Sequence, residues 1–148
     1  MKVKINVKKD QYDKYKEMLE NAGFTISDDA DFEFKELNIK KDTFIGKIED
    51  RFEIVPFNKI IYIESFGHAV FIHTLQEKYL VKERLYEVEN SLQDKNFIRV
   101  SKSTIVNKFG IKEMIPAMNS RLNLIMKNGD VVYVSRSYLQ LFKAFIGF

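Results

Sequence analysis

Two short stretches of the chain concentrate side chains that bind phosphates and read the edges of nucleic-acid bases. FIRVSKSTIVN, at residues 97–107, alternates apolar and polar residues, and VSRSYLQLF, at 134–142, ends an apolar run. Their polar members are Arg99, Lys102, Ser103 and Asn107 in the first stretch and Ser135, Arg136 and Ser137 in the second. These side-chain types donate hydrogen bonds to phosphate oxygens and base edges, and no acidic residue interrupts either stretch.

Basic residues are concentrated in the C-terminal half of the chain, where both of these stretches lie. Residues 95–148 contain nine lysines and arginines and two acidic residues, a balance of +7. Residues 1–94 contain 15 and 19, a balance of −4, so the net charge of +3 conceals a basic C-terminal half. This asymmetry favours a partner that carries phosphates.

The composition is that of a small folded protein without thiol chemistry. A chain of 148 residues, 45% of them hydrophobic, is expected to form one domain plus a small extension. The absence of cysteine excludes disulfides and thiol nucleophiles, and two histidines are too few for a histidine-rich zinc site. No apolar run reaches the roughly 18 residues of a membrane span, and no signal peptide is visible, so we expect a cytoplasmic protein.

The sequence contains no recognisable catalytic constellation. It has no GxGxxG or Walker phosphate loop, and its acidic run at Asp28, Asp29 and Asp31 has no histidine nearby. Acidic runs of this kind are mostly solvated. We therefore expect a protein that is not an enzyme, needs no cofactor and has no small-molecule substrate.

Residues 1–42 predict a small strand–helix–strand extension. Residues 2–7 alternate with period two, and residues 12–22 carry apolar side chains at helical spacing before Gly23. Residues 24–26 suggest a second strand, and the acidic segment 28–36 a solvated link or an edge strand. Because the extension is small for an independent domain, we expect it to serve dimerisation or regulation.

Residues 43–148 predict a mostly β domain with short helices. Asn128–Gly129 is the strongest hairpin signal, because both residues tolerate positive φ. The expected elements are strands from Thr43 to about Val81, a helix at 82–92, strand patterns at 97–107, 111–117 and 121–126, and a closing helix from Tyr138 to Phe145.

This succession resembles the LytTR DNA-binding domain of bacterial transcription regulators over about residues 44–148. The resemblance is carried by KIIYIES, the helix LYEVENSLQ, the FIRVSKSTIVN block, the Asn–Gly hairpin and VSR before the last helix. It implies an elongated arrangement of small antiparallel sheets with short helices. It also implies loops that enter successive major grooves of DNA without a helix-turn-helix. Family members often carry a receiver domain in front, for which 42 residues are too few.

The resemblance also transfers functional residues to this chain. Asn107 and Arg136 match the base-contacting asparagine and arginine of the family, and His68 lies in the loop that supplies a third base contact. Arginine can donate two hydrogen bonds to guanine, and asparagine can pair with adenine. Contacts to phosphates are expected from Arg99, Lys102, Ser103, Lys108, Lys112 and Ser135.

Each of these assignments has a plainer alternative that the sequence leaves open. Asn107 could cap a turn before Gly110, and Arg136 could form an ordinary surface ion pair. His68 could simply be exposed, and Arg99 could pair with Glu83 or Glu87.

The function that these residues favour is a sequence-specific transcription regulator bound to double-stranded DNA. The resemblance implies repeated sites occupied by a pair of protomers, hence a homodimer at least on DNA, and a membrane-bound regulatory partner. The alternative is a protein-interaction module that uses the N-terminal extension and the apolar tail AFIGF, with only non-specific affinity for DNA.

Overall fold

A computed structural model describes residues 1–36 and 41–148 and divides the chain into two compact units, Met1–Lys41 and Asp42–Phe148. Residues 37–40 of the predicted extension lie outside the described residues. The predicted fold class is confirmed, with 44% of the described residues in strands and 26% in helices. Among the described helices, none is both long and apolar enough to cross a membrane.

The first unit is a three-stranded parallel sheet with one helix. Its central strand β1 lies between β2 and β3, so the acidic segment supplies an edge strand. Val3 of β1 and Leu19 of the helix are buried, and the rings of Tyr15 and Phe34 are 5.3 Å apart. The elements are β1 Lys2–Asn6, α1 Tyr12–Asn21, β2 Thr25–Ile26 and β3 Phe32–Lys35.

The second unit is built around a seven-stranded antiparallel sheet. The order of its strands is β5-β4-β8-β7-β6-β10-β9. The strands are β4 Thr43–Ile48, β5 Arg51–Pro56, β6 Tyr62–Phe66, β7 Ala69–His73, β8 Lys78–Val81, β9 Phe97–Ser101 and β10 Thr104–Asn107. A short helix, α2 at Leu85–Ser91, follows β8; it begins with Glu87 Oε1 accepting a hydrogen bond from the backbone N–H of Arg84 at 3.2 Å.

A third sheet and a closing helix complete the second unit. The sheet has the order β11-β12-β13, and the Asn128–Gly129 hairpin predicted from the sequence joins its last two strands. Gly129 has a φ of 91°, a backbone conformation that glycine adopts without steric cost. The elements are β11 Ile111–Ala117, β12 Arg121–Met126, β13 Val131–Val134 and α3 Leu139–Ile146.

Two hydrophobic cores lie on opposite faces of the seven-stranded sheet. The first is formed by alternate residues of β4 to β8 and β10 together with α2, and it includes Phe44, Ile63 and Val88. The second joins β6, β9 and β10 to the third sheet and α3, and it includes Leu124 and Phe142. The two-residue period of a strand therefore lets β6 and β10 contribute to both cores.

The structure differs from the sequence prediction at residues 97–107, which form a hairpin rather than one continuous strand. β9 and β10 pair antiparallel, and Lys102 and Ser103 form the turn between them. The side-chain oxygen of Ser101 accepts a hydrogen bond from the backbone N–H of Ser103 at 3.2 Å, which stabilises the reversal. The four consecutive polar residues at 101–104 mark this turn, and the prediction of a strand pattern over 97–107 did not separate the two strands that flank it.

We expect Phe142→Ala to destabilise the second unit strongly. The Phe142 side chain is 0% exposed, so its truncation should lower the free energy of unfolding by about 3–5 kcal/mol. The neighbouring Leu141 is 66% exposed, and Leu141→Ala should change stability by less than about 0.5 kcal/mol. Urea unfolding of both variants measures this difference, and equal losses would contradict the assigned core.

Candidate nucleic-acid interface

The turn between β9 and β10 presents Lys102 and Ser103 to solvent. Both residues are exposed, and the turn is tied to β6 because the Ser65 backbone N–H donates to the carbonyl of Ser103 at 2.8 Å. The predicted phosphate contacts at Lys102 and Ser103 thus lie at the tip of a hydrogen-bonded hairpin. A tip of this kind can approach a DNA groove with little rearrangement.

The turn between β6 and β7 places His68 at the same end of the sheet. Phe66 pairs with Ala69, which leaves Gly67 and His68 as the two turn residues, and His68 is exposed. Gly67 has a φ of 58°, which closes the tight turn. Since Ser65 is level with Ser103, this turn extends beyond the β9–β10 turn by about 7 Å.

Arg136 lies beside these turns, at the end of β13. The Ser135 backbone N–H donates to the carbonyl of Val100 at 2.9 Å, which attaches this segment to β9. Nη2 of Arg136 donates to the carbonyl of Asn119 at 3.3 Å, and the rest of the exposed guanidinium is available to a ligand. Arg136 begins a short 3-10 helix before α3, where a cation gains nothing from the helix dipole.

A groove of about 750 Å³ separates the β9–β10 hairpin from the third sheet and contains an arginine that no sequence motif indicates. Arg121 lines this groove with Arg136 and is exposed at the start of β12. In the sequence, the one feature that indicates a role for Arg121 is its position in the C-terminal half, where basic residues outnumber acidic ones. The polar lining on the hairpin and arginine sides comprises Ser101, Ser103, Thr104, Arg121, Ser135 and Arg136.

The groove has an excess of positive charge. Glu64 is the acidic residue among its lining, and the Glu64 carboxylate lies 2.7 Å from Nε2 of His73. Within the part of the chain that the structure describes, Lys102, Arg121 and Arg136 have no carboxylate within ion-pair distance. The surface can therefore offer three unneutralised cations to an anionic partner. We refer to His68, Lys102, Ser103, Arg121 and Arg136 as the basic turn cluster.

Asn107 occupies a different kind of position from the one expected. It is 7% exposed; its amide nitrogen donates to the carbonyl of Ile60 at 2.8 Å, and its oxygen accepts from the backbone N–H of Phe109 at 3.0 Å. The side chain therefore caps the short 3-10 helix Lys108–Gly110 and links it to the segment before β6. Asn107 therefore has a structural role as a cap, and the base contact predicted for it stays a prediction.

Arg99 is also engaged within the fold. Its Nη2 donates to the carbonyl of Lys102 at 2.9 Å, and its Nη1 lies 3.6 Å from the carboxylate of Glu89 in α2. The acidic partner is thus Glu89 rather than Glu83 or Glu87. These contacts place Arg99 behind the β9–β10 turn, where it supports the backbone of Lys102, and they leave little of the guanidinium for a phosphate.

Lys108 and Lys112 are separated from the basic turn cluster. Lys108 follows β10 at the end away from Ser103, about 15 Å along the strand, and its Nζ lies 5.9 Å from the ring of Phe145. Lys112 is exposed near the start of β11, whereas Arg121 follows the other end of that strand. The structure therefore does not bring these two predicted phosphate contacts together with the others.

A polar network beneath the groove joins the two sheets. The Tyr62 hydroxyl donates to Oδ2 of Asp130 at 2.8 Å, and the ring of Tyr62 stacks on His73 with centroids 4.1 Å apart. His73 is buried between Glu64 and Asp130, with its Nδ1 3.7 Å from the carboxylate of Asp130. Burial, reinforced by the hydrogen bond to Asp130, raises the pKa of Tyr62 far above its ordinary value of 10.0.

Antiparallel sheets that present basic turns beside a groove define a β-rich class of DNA-binding domain. Comparison with known proteins identifies the family: the family model described as LytTr DNA-binding domain matches residues 50–147. The chain therefore belongs to the LytTR family, as the resemblance indicated. Membership in a DNA-binding family also supports the expectation that the protein is not an enzyme.

The relatives agree with this assignment. The chain is 34% identical over 104 residues, 70% of either length, to uncharacterized HTH-type transcriptional regulators of Staphylococcus aureus. It is 41% identical over 90 residues to the sensory transduction protein LytT of Bacillus subtilis, covering 61% of this chain and 37% of that protein. A LytTr DNA-binding domain from Bacillus cereus has a TM-score of 0.69 and 34% identity, covering 73% of this chain and 99% of that one.

The capping role of Asn107 predicts a loss of stability on truncation. Asn107→Ala should lower the free energy of unfolding by about 1–3 kcal/mol, because the Ile60 carbonyl and the Phe109 N–H lose their partner. The exposed Asn58 provides a control, and Asn58→Ala should cost less than about 0.5 kcal/mol. Chemical denaturation measures both. Unchanged stability of Asn107→Ala, combined with weaker DNA binding, would instead favour the base contact.

The raised pKa of Tyr62 predicts a loss of stability at alkaline pH. Unfolded Tyr62 ionises near pH 10.0 while the folded side chain stays neutral, so its contribution is complete below pH 10.0 and is lost as pH rises above it. Above pH 10.0, ionisation of unfolded Tyr62 should lower the free energy of unfolding by about 1.4 kcal/mol for each pH unit. Tyr62→Phe should be less stable at neutral pH and should show a shallower alkaline decline.

Urea unfolding at several pH values between about 9 and 11 tests this dependence. Tyr133→Phe, which alters an exposed ring, is the matched control and should retain the wild-type slope. An identical alkaline slope in Tyr62→Phe and wild type would refute the assignment.

Proposed function

We propose that this protein is a sequence-specific transcription regulator that reads DNA through the basic turn cluster. The observation that carries the proposal is the convergence of two hairpin turns and the Ser135–Arg136 segment at one end of the second unit. Three of the side chains there, Lys102, Arg121 and Arg136, are cations without carboxylate partners among the described residues. Family membership supplies the nature of the partner, which is double-stranded DNA.

Roles within the cluster follow from side-chain chemistry. Arg136 is proposed to read guanine through two parallel hydrogen bonds, and His68 is proposed as a second base contact from the β6–β7 turn. Lys102, Ser103 and Arg121 of the cluster, together with the neighbouring Ser135, are proposed to bind phosphates, which gives affinity without sequence choice. Asn107 and Arg99 position these groups, since one caps the segment after β10 and the other supports the turn before it.

The wider setting is part of the same proposal. Regulators that recognise repeated sites bind as pairs, so we propose two protomers on two half-sites about one helical turn apart. A cytoplasmic location and a membrane-bound partner that acts through residues 1–42 complete the proposal. Deleting residues 1–42 tests the last point: DNA binding should persist while regulation is lost.

The alternative of an interaction module has less support. It rests on the N-terminal extension and on the apolar tail AFIGF, and Ile146 of this tail packs against the second core. Phe148 remains 68% exposed, although Nζ of Lys143 lies 5.4 Å from its ring. The packing of α3 against the second core therefore accounts for part of the apolar character of this tail.

Arg136 provides the sharpest test of base reading. Selection from random duplex DNA at about 150 mM salt should first yield a short repeated motif, because non-specific phosphate binding is weak under those conditions. Arg136→Ala should then weaken binding to that motif by about 1–3 kcal/mol and relax preference at one position. Arg136→Lys keeps the charge but loses the two-bond geometry, so it should lose selectivity as well.

Two lysines supply the controls for this experiment. Lys102→Ala should weaken all sequences alike and reduce the slope of log affinity against log salt by about one. Lys112→Ala removes the same charge from the distant end of β11. It should change neither the affinity for DNA nor the slope of log affinity against log salt. If Arg136→Ala binds the motif normally, or if Lys112→Ala behaves like Lys102→Ala, the proposed surface is wrong.

A further inference from the structure

One part of the seven-stranded sheet has an apolar face that the second unit does not cover. The third sheet and α3 pack over β6, β10 and β9, but the same side of β4, β5 and β8 remains exposed. Four large apolar side chains lie there, and they are Ile45, Phe52, Ile54 and Leu80. Phe52 and Ile54 are 68% and 69% exposed, and Ile45 pairs directly with Ile54, so the exposed side chains are contiguous. Contiguous apolar patches of this kind mark interaction surfaces.

The patch ends at a free sheet edge. β5 is the terminal strand and pairs only with β4 among the described residues, so alternate backbone amide and carbonyl groups of β5 point outward. Natural proteins protect such edges with charges, prolines or covering segments. β5 itself carries charges at Arg51 and Glu53 and a proline at its end, Pro56, but between them it presents the exposed apolar side chains of Phe52 and Ile54.

When two copies of β5 pair antiparallel, basic residues of one copy can lie opposite acidic residues of the other. If two β5 strands pair about a twofold axis at Phe52, each Arg51 lies opposite Glu53 of the second copy. An axis at Glu53 would instead oppose two carboxylates and is disfavoured. Within one chain Arg51 pairs with Glu49 at 3.1 Å and Glu53 at 3.2 Å, and these exposed pairs contribute too little to resist exchange.

We propose that a second copy of this chain binds β5, forming a dimer whose two sheets continue across a twofold axis at Phe52. The backbone groups of β5 supply the hydrogen bonds, Phe52 and Ile54 supply apolar burial, and Arg51 with Glu53 sets the register. One paired strand with the side chains of Phe52 and Ile54 makes a small interface, below about 1,200 Å², so micromolar or weaker association is expected. The dimer does not depend on DNA or on the basic turn cluster.

Charge reversal tests the register in the full chain. Sedimentation equilibrium over a micromolar concentration series should show a monomer–dimer equilibrium for the wild type. Arg51→Glu makes the edge wholly acidic and Glu53→Arg makes it wholly basic, so each variant alone should be monomeric. An equimolar mixture of the two should recover the dimer, because opposite charges again face each other.

Three results would each overturn the proposal: a monomeric wild type, a single variant that still dimerises, or a mixture that stays monomeric. Phe52→Ser should also weaken the dimer, because apolar burial at the axis is lost while the backbone and charge pairing of β5 remain; Leu75→Ser, at an exposed residue in the β7–β8 turn, should leave the dimer intact. Affinity for a duplex with one binding site should be unchanged in all of these variants, which keeps this test independent of the proposed DNA contacts.

The absence of cysteine from the chain permits a second, direct test. Phe52→Cys places one thiol of each copy at the twofold axis, so mild oxidation should join two chains through a disulfide. Leu75→Cys is the control, and it should give no comparable cross-linked species. Cross-linking of both variants to the same extent would indicate random collision and would contradict the register.

Discussion

The arrangement of the second unit depends on strands β6 and β10 being buried on both faces. Ile63 and Ile105 enter the first core, whereas Tyr62 and Val106 enter the second, and all four side chains are at most 6% exposed. Because successive side chains of a strand point to opposite faces, the same two strands attach α2 on one side and the third sheet on the other. The third sheet holds Arg136 near the β9–β10 turn, so the proposed reading surface is a consequence of this two-sided packing.

Polar contacts give that packing a defined register. Hydrophobic burial is non-directional and would tolerate small sliding movements between the sheets. The hydrogen bond from Tyr62 to Asp130, and the position of His73 between Glu64 and Asp130, attach the β12–β13 hairpin to β6 and β7. Part-buried polar networks stabilise a fold only when their members are satisfied, and we interpret this network as the feature that sets the orientation of the third sheet.

Local sequence patterns predicted the elements that depend on a few neighbouring residues, such as the Asn128–Gly129 hairpin and the closing helix. Features that depend on distant residues were not predictable in this way. The sequence offered a cap at Asn107 only as an alternative, because the partner that fixes this side chain, the Ile60 carbonyl, is 47 residues away in sequence. Charge counting indicated the kind of partner, but Arg121 became a candidate only when folding placed it beside Arg136. The choice of contacting residues therefore required the three-dimensional arrangement of strand ends.

The distinction between affinity and selectivity follows from how the turns are held. Lysines on a flexible surface gain Coulomb attraction to any phosphate, and they distinguish poorly between sequences. The β9–β10 turn is fixed by the bond from Arg99 to the Lys102 carbonyl and by the bond from Ser65 to the Ser103 carbonyl. A turn ordered before binding costs little additional conformational entropy on the DNA, so more of the contact energy remains available to discriminate between sequences.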